Sequence, residues 1–274
     1  MEDSLARELE YVLPSIHRYP YKGRDDFVEI WDYELSIPDR DDYFLMTNIN
    51  KHTFEHDFVG TDDNFFLETC NEYCHLSQSL LIRMRSAEHE HARAEFTNLI
   101  SLAAVQMGLP HALQFLGSGD YQLGPRKKQA DDAYVPKVLA SRPYPSVVLE
   151  VAWSESASKL RADAERWLTV SNGEVKAAIT ILVKKHSFDI IIQRWNIVDD
   201  ALVIQQETRI MKQDSGVNSR ASVVFMGAPF IIPFHMLFLR PAAPGTNEGD
   251  IVLADTDLIH LARDIWGDQS LVIG

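Results

Sequence analysis

The stretch SVVLEVAW, residues 146–153, constrains this 274-residue chain more than any other. Its apolar, partly β-branched residues sit between Pro145 and a Ser-rich turn, and they read as a buried strand. One acid interrupts it. An ionised Glu150 on a buried strand needs a cation, hydrogen bonds or a place at the sheet edge, because an unpaired buried charge is costly. The alternative is an acid that simply points to solvent. Asp131, beside Asp132, heads the preceding strand DAYVP and follows the basic run Arg126-Lys127-Lys128. Two strands that each carry one carboxylate can hold a single hard divalent cation between them, with water and a substrate phosphate completing its shell.

The surrounding pattern is α/β. From Ser77 to Met107 the apolar residues recur mostly at helical spacing until Gly108-Leu109-Pro110, which predicts one or two helices. LQFLGSGDYQL and DAYVPKVL read as strands. SESASKLRADAERWLTVSNG reads as a helix with Leu160, Ala164, Trp167 and Leu168 on one face, Ser154 or Ser156 as cap and Asn172-Gly173 as stop. KAAITILVKK and FDIIIQRW form a strand pair, followed by a strand SVVFMG and a closing helix, DTDLIHLARDIWG. Residues 1–76 mix aromatics with dense Asp and Glu and are expected to form an acidic appendage packed on a main domain, residues 77–240. A C-terminal extension, 241–274, completes the chain.

Charge narrows the functional classes. The chain carries 26 Lys and Arg against 40 Asp and Glu, a formal −14, which argues against a cationic nucleic-acid coat or a polybasic membrane-surface protein. The imbalance is uneven. Residues 1–79 hold 6 basic and 18 acidic side chains, residues 80–185 hold 14 and 11, and residues 186–274 hold 6 and 11. Only two cysteines, Cys70 and Cys74, are present, too few for a disulfide framework. With neither a signal-peptide pattern nor an unbroken apolar span, the expectation is an intracellular protein, cytoplasmic or nuclear, without membrane insertion.

The segments ADDAYVP, PSVVLEVAWSES and KLRADAERWL together resemble the PD-(D/E)XK, or restriction-endonuclease-like, nuclease superfamily, and within it the branch of candidate restriction endonucleases. The resemblance covers roughly residues 85–195. It implies a mixed central sheet flanked by helices, with Asp131 and Glu150 as catalytic acids binding Mg²⁺ or Mn²⁺ and Glu95 completing the metal site from the preceding helix, Glu88 or Glu90 being substitutes. Two positions depart from the pattern. Ala130 replaces the proline, and Ala152 replaces the lysine that stabilises the attacking water or the developing charge. Lys159, at the start of the following helix, is the candidate replacement cation. The resemblance implies metal-assisted hydrolysis of DNA or RNA phosphodiesters, with Arg126, Lys127 and Lys128 as phosphate contacts. The missing lysine favours another outcome: an inactive nuclease-fold protein that serves as a protein-interaction or regulatory module.

Other signals carry less. Glu88, His91 and Glu95 share a helix face without an HExxH pattern and read as a solvated polar face. Cys70-xxx-Cys74-His75 lacks the second pair that a zinc finger needs. A P-loop, a G-x-G-x-x-G and a nucleophile elbow are all absent.

Overall fold

The computed structural model describes residues 5–38, 40–117, 119–153, 157–213, 222–267 and 272–273. Along the first 86 residues run α1 (Leu5–Val12), β1 (Arg18–Pro20), α2 (Arg24–Ser36), β2 (Tyr43–Thr47), α3 (Lys51–Phe54), α4 (Asn64–Thr69), β3 (Cys70–Cys74) and β4 (Ser79–Arg83). The middle carries α5 (Ala87–Gln106), β5 (Leu113–Phe115), β6 (Asp120–Leu123), β7 (Arg126–Gln129), β8 (Asp132–Pro136), β9 (Val147–Trp153) and α6 (Ala157–Val170). Then follow β10 (Ala177–Val183), β11 (Ile190–Val198), β12 (Ala201–Gln213), β13 (Ser222–Met226), β14 (Phe230–Ile232), α7 (Phe234–Phe238), β15 (Ile251–Leu253), α8 (Asp255–Trp266) and β16 (Val272–Ile273). Chain contacts divide these into two compact units. Unit 1 is Met1–Ser86 with Asp120–Gln129, and unit 2 is Ala87–Gly119 with Ala130–Gly274.

Unit 1 is built on a six-stranded sheet in the order β1-β2-β4-β3-β7-β6. Leu80 and Ile82 of β4, with Met84, face an aromatic cluster around Phe27, Phe44, Phe58 and Phe66, whereas Leu81 faces a second cluster with Leu5, Leu9 and Leu45. Both faces of this sheet are therefore covered. The N-terminal aromatics form a core of their own: Phe27 alone meets five rings, with centroids 5.2 to 6.4 Å away.

Three expectations need correction here. The helix expected from Ser77 starts at Ala87, because Leu80, Ile82 and Met84 recur every second residue, the period of a strand. LQFLGSGDYQL splits in two: β5 pairs with β8 in unit 2, and β6 pairs with β7 in unit 1. The expected boundary at residue 76 falls in the turn joining β3 to β4, and the units part after Ser86 instead.

Both cysteines lie on β3, buried and not joined in a disulfide. Burial pushes the Cys70 thiol well above its ordinary range, and the Asp120 carboxylate adds to the shift. Since the thiolate is the reactive form and Cys74 is fully buried, Ellman's reagent at pH 8 is expected to label neither cysteine in the folded protein and both in guanidinium chloride. Rapid labelling of the native chain would contradict this packing.

Unit 2 contains an eight-stranded mixed sheet in the order β16-β13-β12-β11-β10-β9-β8-β5, with β9 and β10 parallel and β13 and β16 parallel. This is the mixed α/β architecture that the sequence led us to expect. The long strand β12 was not foreseen: its exposed and buried positions mix charged and apolar residues with no clean alternation. Val147, Leu149 and Val151 of β9 enter a large core with Phe96 and Ile100 of α5 and Leu258 and Leu261 of α8. The segment expected as a C-terminal extension thus contributes to the central core of unit 2. Ala152 of β9 faces the other way, packing with Leu160 of α6 and with Leu182 and Ile191. No described helix is long and apolar enough to cross a membrane.

Candidate functional site

Strand alternation turns Glu150, like Ala152, away from the large core and toward α6. The β8–β9 register sets Asp132 against Leu149 and Ala133 against Val148, and continuing it brings Asp131 level with Glu150. The Asp131 N–H donates to the Leu149 carbonyl at 3.1 Å. The two acids singled out from sequence therefore occupy neighbouring strands at the same level.

Each is closed off by protein donors. Asp131 is 0% exposed, and its Oδ2 accepts the Val151 main-chain N–H at 2.6 Å while its Oδ1 lies 3.2 Å from His89 Nε2. Glu150 is 1% exposed, and its Oε1 accepts the indole N–H of Trp167 at 2.5 Å. Charge-assisted bonds of this kind offset the desolvation that would otherwise forbid buried carboxylates.

Lys159, Asp163 and Trp167 follow one another at four-residue spacing on α6 and so share a face. Lys159, 1% exposed, donates through Nζ to both oxygens of Asp163, at 2.5 and 2.6 Å. The candidate replacement for the family's lysine is thus a buried partner of a neighbouring acid, and it does not stand in solvent.

Asp132 anchors a separate network. Its Oδ1 accepts the Gly117 N–H at 3.0 Å, and its Oδ2 accepts the Thr97 hydroxyl at 2.7 Å and lies 3.7 Å from Arg93 Nη1. Burial, reinforced by the Asp132 charge, holds the Tyr134 phenol well above its usual pKa. Tyr134 therefore stays a neutral hydroxyl, 3.0 Å from that of Thr97.

Of the helix acids expected at this site, Glu90 lies 3.3 Å from His89 Nδ1, one side chain removed from Asp131. Glu95 accepts from its neighbour Asn98 at 3.3 Å, and it is His89 that reaches Asp131. His89 was missed because His91, Glu88 and Glu95 drew attention to the outer face. A signal was available: His89 precedes Ala92 and Phe96 by three and seven residues, which continues the buried stripe of α5 by one turn.

The basic run is also corrected. Arg126 and Lys128 are 1% and 0% exposed on β7 in unit 1. Arg126 donates to Glu72 and Glu8, each at 2.8 Å, so its guanidinium is committed within the fold. Only Lys127, 27% exposed and 2.7 Å from Asp120, keeps contact with solvent. Strand pairing explains the change: β7 lies between β3 and β6, and alternate residues of an inner strand face a covered side.

Among the described residues no group of three or more His, Cys, Asp and Glu side chains is arranged to hold a metal ion. In this arrangement Asp131 and Glu150 each accept a hydrogen bond from a protein donor.

No protein-family signature matches the chain, and no curated protein matches it. One solved structure that resembles it is that of an Anabaena variabilis protein, described as a candidate nuclease belonging to DUF820. The match has a TM-score of 0.41 and 13% identity, over 76% of this chain and 97% of that one. No residue role is carried across from it.

Proposed function

We propose that this is a nuclease-fold protein whose acidic constellation has become a structural lock, and that it serves as a protein-interaction or regulatory module without hydrolysing phosphodiesters. One observation carries this reading: Asp131, Glu150 and Lys159 are all buried and all bonded to other protein groups. Metal-assisted hydrolysis needs open coordination positions and a route for the scissile phosphate.

Charge supports the same reading. The basic character of residues 80–185 depended partly on Arg126, Lys127 and Lys128, which belong to unit 1. Unit 2 holds 15 basic and 21 acidic side chains, and unit 1 holds 11 and 19. Both repel a polyanion.

The second reading is a Mg²⁺- or Mn²⁺-dependent nuclease. It is favoured by the level placement of Asp131 and Glu150 beside His89, three side chains of metal-binding type. Calorimetric titration with MnCl₂ and with MgCl₂ is expected to reveal no site, and supercoiled plasmid, single-stranded DNA and RNA are expected to stay intact. A Mn²⁺ site lost in Glu150→Ala, together with cleavage by the parent chain, would replace the binding-module reading by the nuclease one.

A further inference from the structure

A second part of unit 2, unrelated to the acids, has the properties of a ligand site. A cavity of about 880 Å³ opens where Lys176 leads into β10 and Asn196 to Val198 end β11. Leu168, near the end of α6, lines it, which places it at the other end of that helix from Lys159. Its volume is in the range of small-molecule pockets.

The lining is cationic in a protein of net charge −14. Arg142, Lys176, Arg194 and Arg240 contribute to it, against the single acid Glu174. Glu174 takes Arg142, and Glu248 takes Arg240 in a two-pronged pair. Arg194 and Lys176 have no ion pair within 4 Å among the described residues, although the exposed Lys176 ammonium donates to the Gly173 carbonyl and feels the Glu174 charge. Arg194 is half-buried on β11, gives one N–H to the Ile231 carbonyl, and leaves its Nε without an acceptor. Burial lowers its pKa, and Asp250 only partly offsets this. Such a guanidinium is stabilised by an anion. Between the cations the wall is aliphatic, with Leu168, Ile197, Met236 and Leu239.

We infer that this cavity binds a small organic oxyanion, a phosphate ester or carboxylate carried on an apolar body, with Arg194 and Lys176 receiving the charged head. The inference stands apart from the nuclease-fold reading, since none of the lining residues belongs to the Asp131 and Glu150 networks.

The test uses the full chain and four probes, 2-naphthyl phosphate, 2-naphthoate, 2-naphthol and inorganic phosphate, each titrated calorimetrically at low ionic strength. At least one of the two naphthyl anions is expected to bind at least tenfold more tightly than either 2-naphthol or inorganic phosphate, and the tighter of the two identifies the preferred head group. Arg194→Gln should weaken that binding by about tenfold or more, as loss of a charged hydrogen bond implies. Lys176→Gln, at an exposed side chain, should weaken it several-fold with the fold intact, so the test survives if Arg194→Gln fails to fold. Lys22→Gln, in unit 1, should change nothing. No binding of either naphthyl anion at millimolar concentration, equal binding of 2-naphthol, equal binding of inorganic phosphate, or unchanged affinity in Lys176→Gln and in folded Arg194→Gln would each overturn the inference.

Discussion

Lys159→Met is expected to destabilise the protein by about 3–5 kcal/mol, the usual cost of removing one partner from a buried ion pair. The methionine fills much of the space of the lysine stem, so the loss comes from Asp163, which stays buried but loses the Lys159 ammonium. The double variant Lys159→Met, Asp163→Leu should recover most of that loss, because well-packed apolar pairs replace buried ion pairs at little or no cost. Urea unfolding, followed by hydrogen exchange of α6 and β9 so that unit 2 is read by itself, measures both. A Lys159→Met shift below about 1 kcal/mol would place the ammonium in a hydrated setting and return it to the list of catalytic cations. Failure of the double variant to recover would instead mean that Lys159 supports more than Asp163.

Arg126→Met should cost a similar amount, about 3–5 kcal/mol, and the loss should appear in unit 1. Glu72 is buried and would lose the donor at 2.8 Å, whereas Glu8 is partly hydrated and suffers less. Lys127→Ala, by contrast, removes a surface pair with Asp120 and should change stability by less than about 1 kcal/mol. The contrast separates two roles for the basic run. A structural Arg126 gives a large loss of protection in β3 and β7 and no specific effect on nucleic-acid affinity. A phosphate-binding Arg126 would leave stability nearly unchanged and weaken binding to DNA or RNA in a salt-dependent way.

The elements that frame the site were readable because each carries one clear periodicity. SVVLEVAW is a strand by its β-branched run, and the stripe of Leu160, Ala164, Trp167 and Leu168 fixes the face that α6 buries. The level placement of Asp131 and Glu150 followed from their positions on successive strands, which is as far as sequence spacing reaches. What closes the site depends on contacts distant in sequence: the Trp167 indole is 17 residues from Glu150, and His89 is 42 residues from Asp131. Lys159 is the instructive failure. Its long stem suggested reach toward the strand acids, but an acid one turn away on the same helix holds its ammonium. Arg126 failed for another reason: three adjacent cations look like a solvated run, yet strand alternation sends two of them into covered space. The strand character of Leu80, Ile82 and Met84 was present in the sequence but was overwhelmed by the helical pattern beginning soon after.

The hairpin β6–β7 has a consequence for the order in which the protein is made. Two of the six strands of the unit 1 sheet emerge from the ribosome only after α5 and β5 of unit 2. A nascent chain that has reached Ser86 therefore holds the aromatic cluster and the carboxylates of Glu8 and Glu72 but lacks the guanidinium that Arg126 brings to them. During synthesis the two acids lack this partner, and the β3 edge stays open, until residue 129 is out. The same interleaving means that no single cut releases unit 1 whole: a fragment ending at Ser86 exposes that edge, and one beginning at Ala87 carries an orphaned hairpin with Arg126 and Lys128 bared to water.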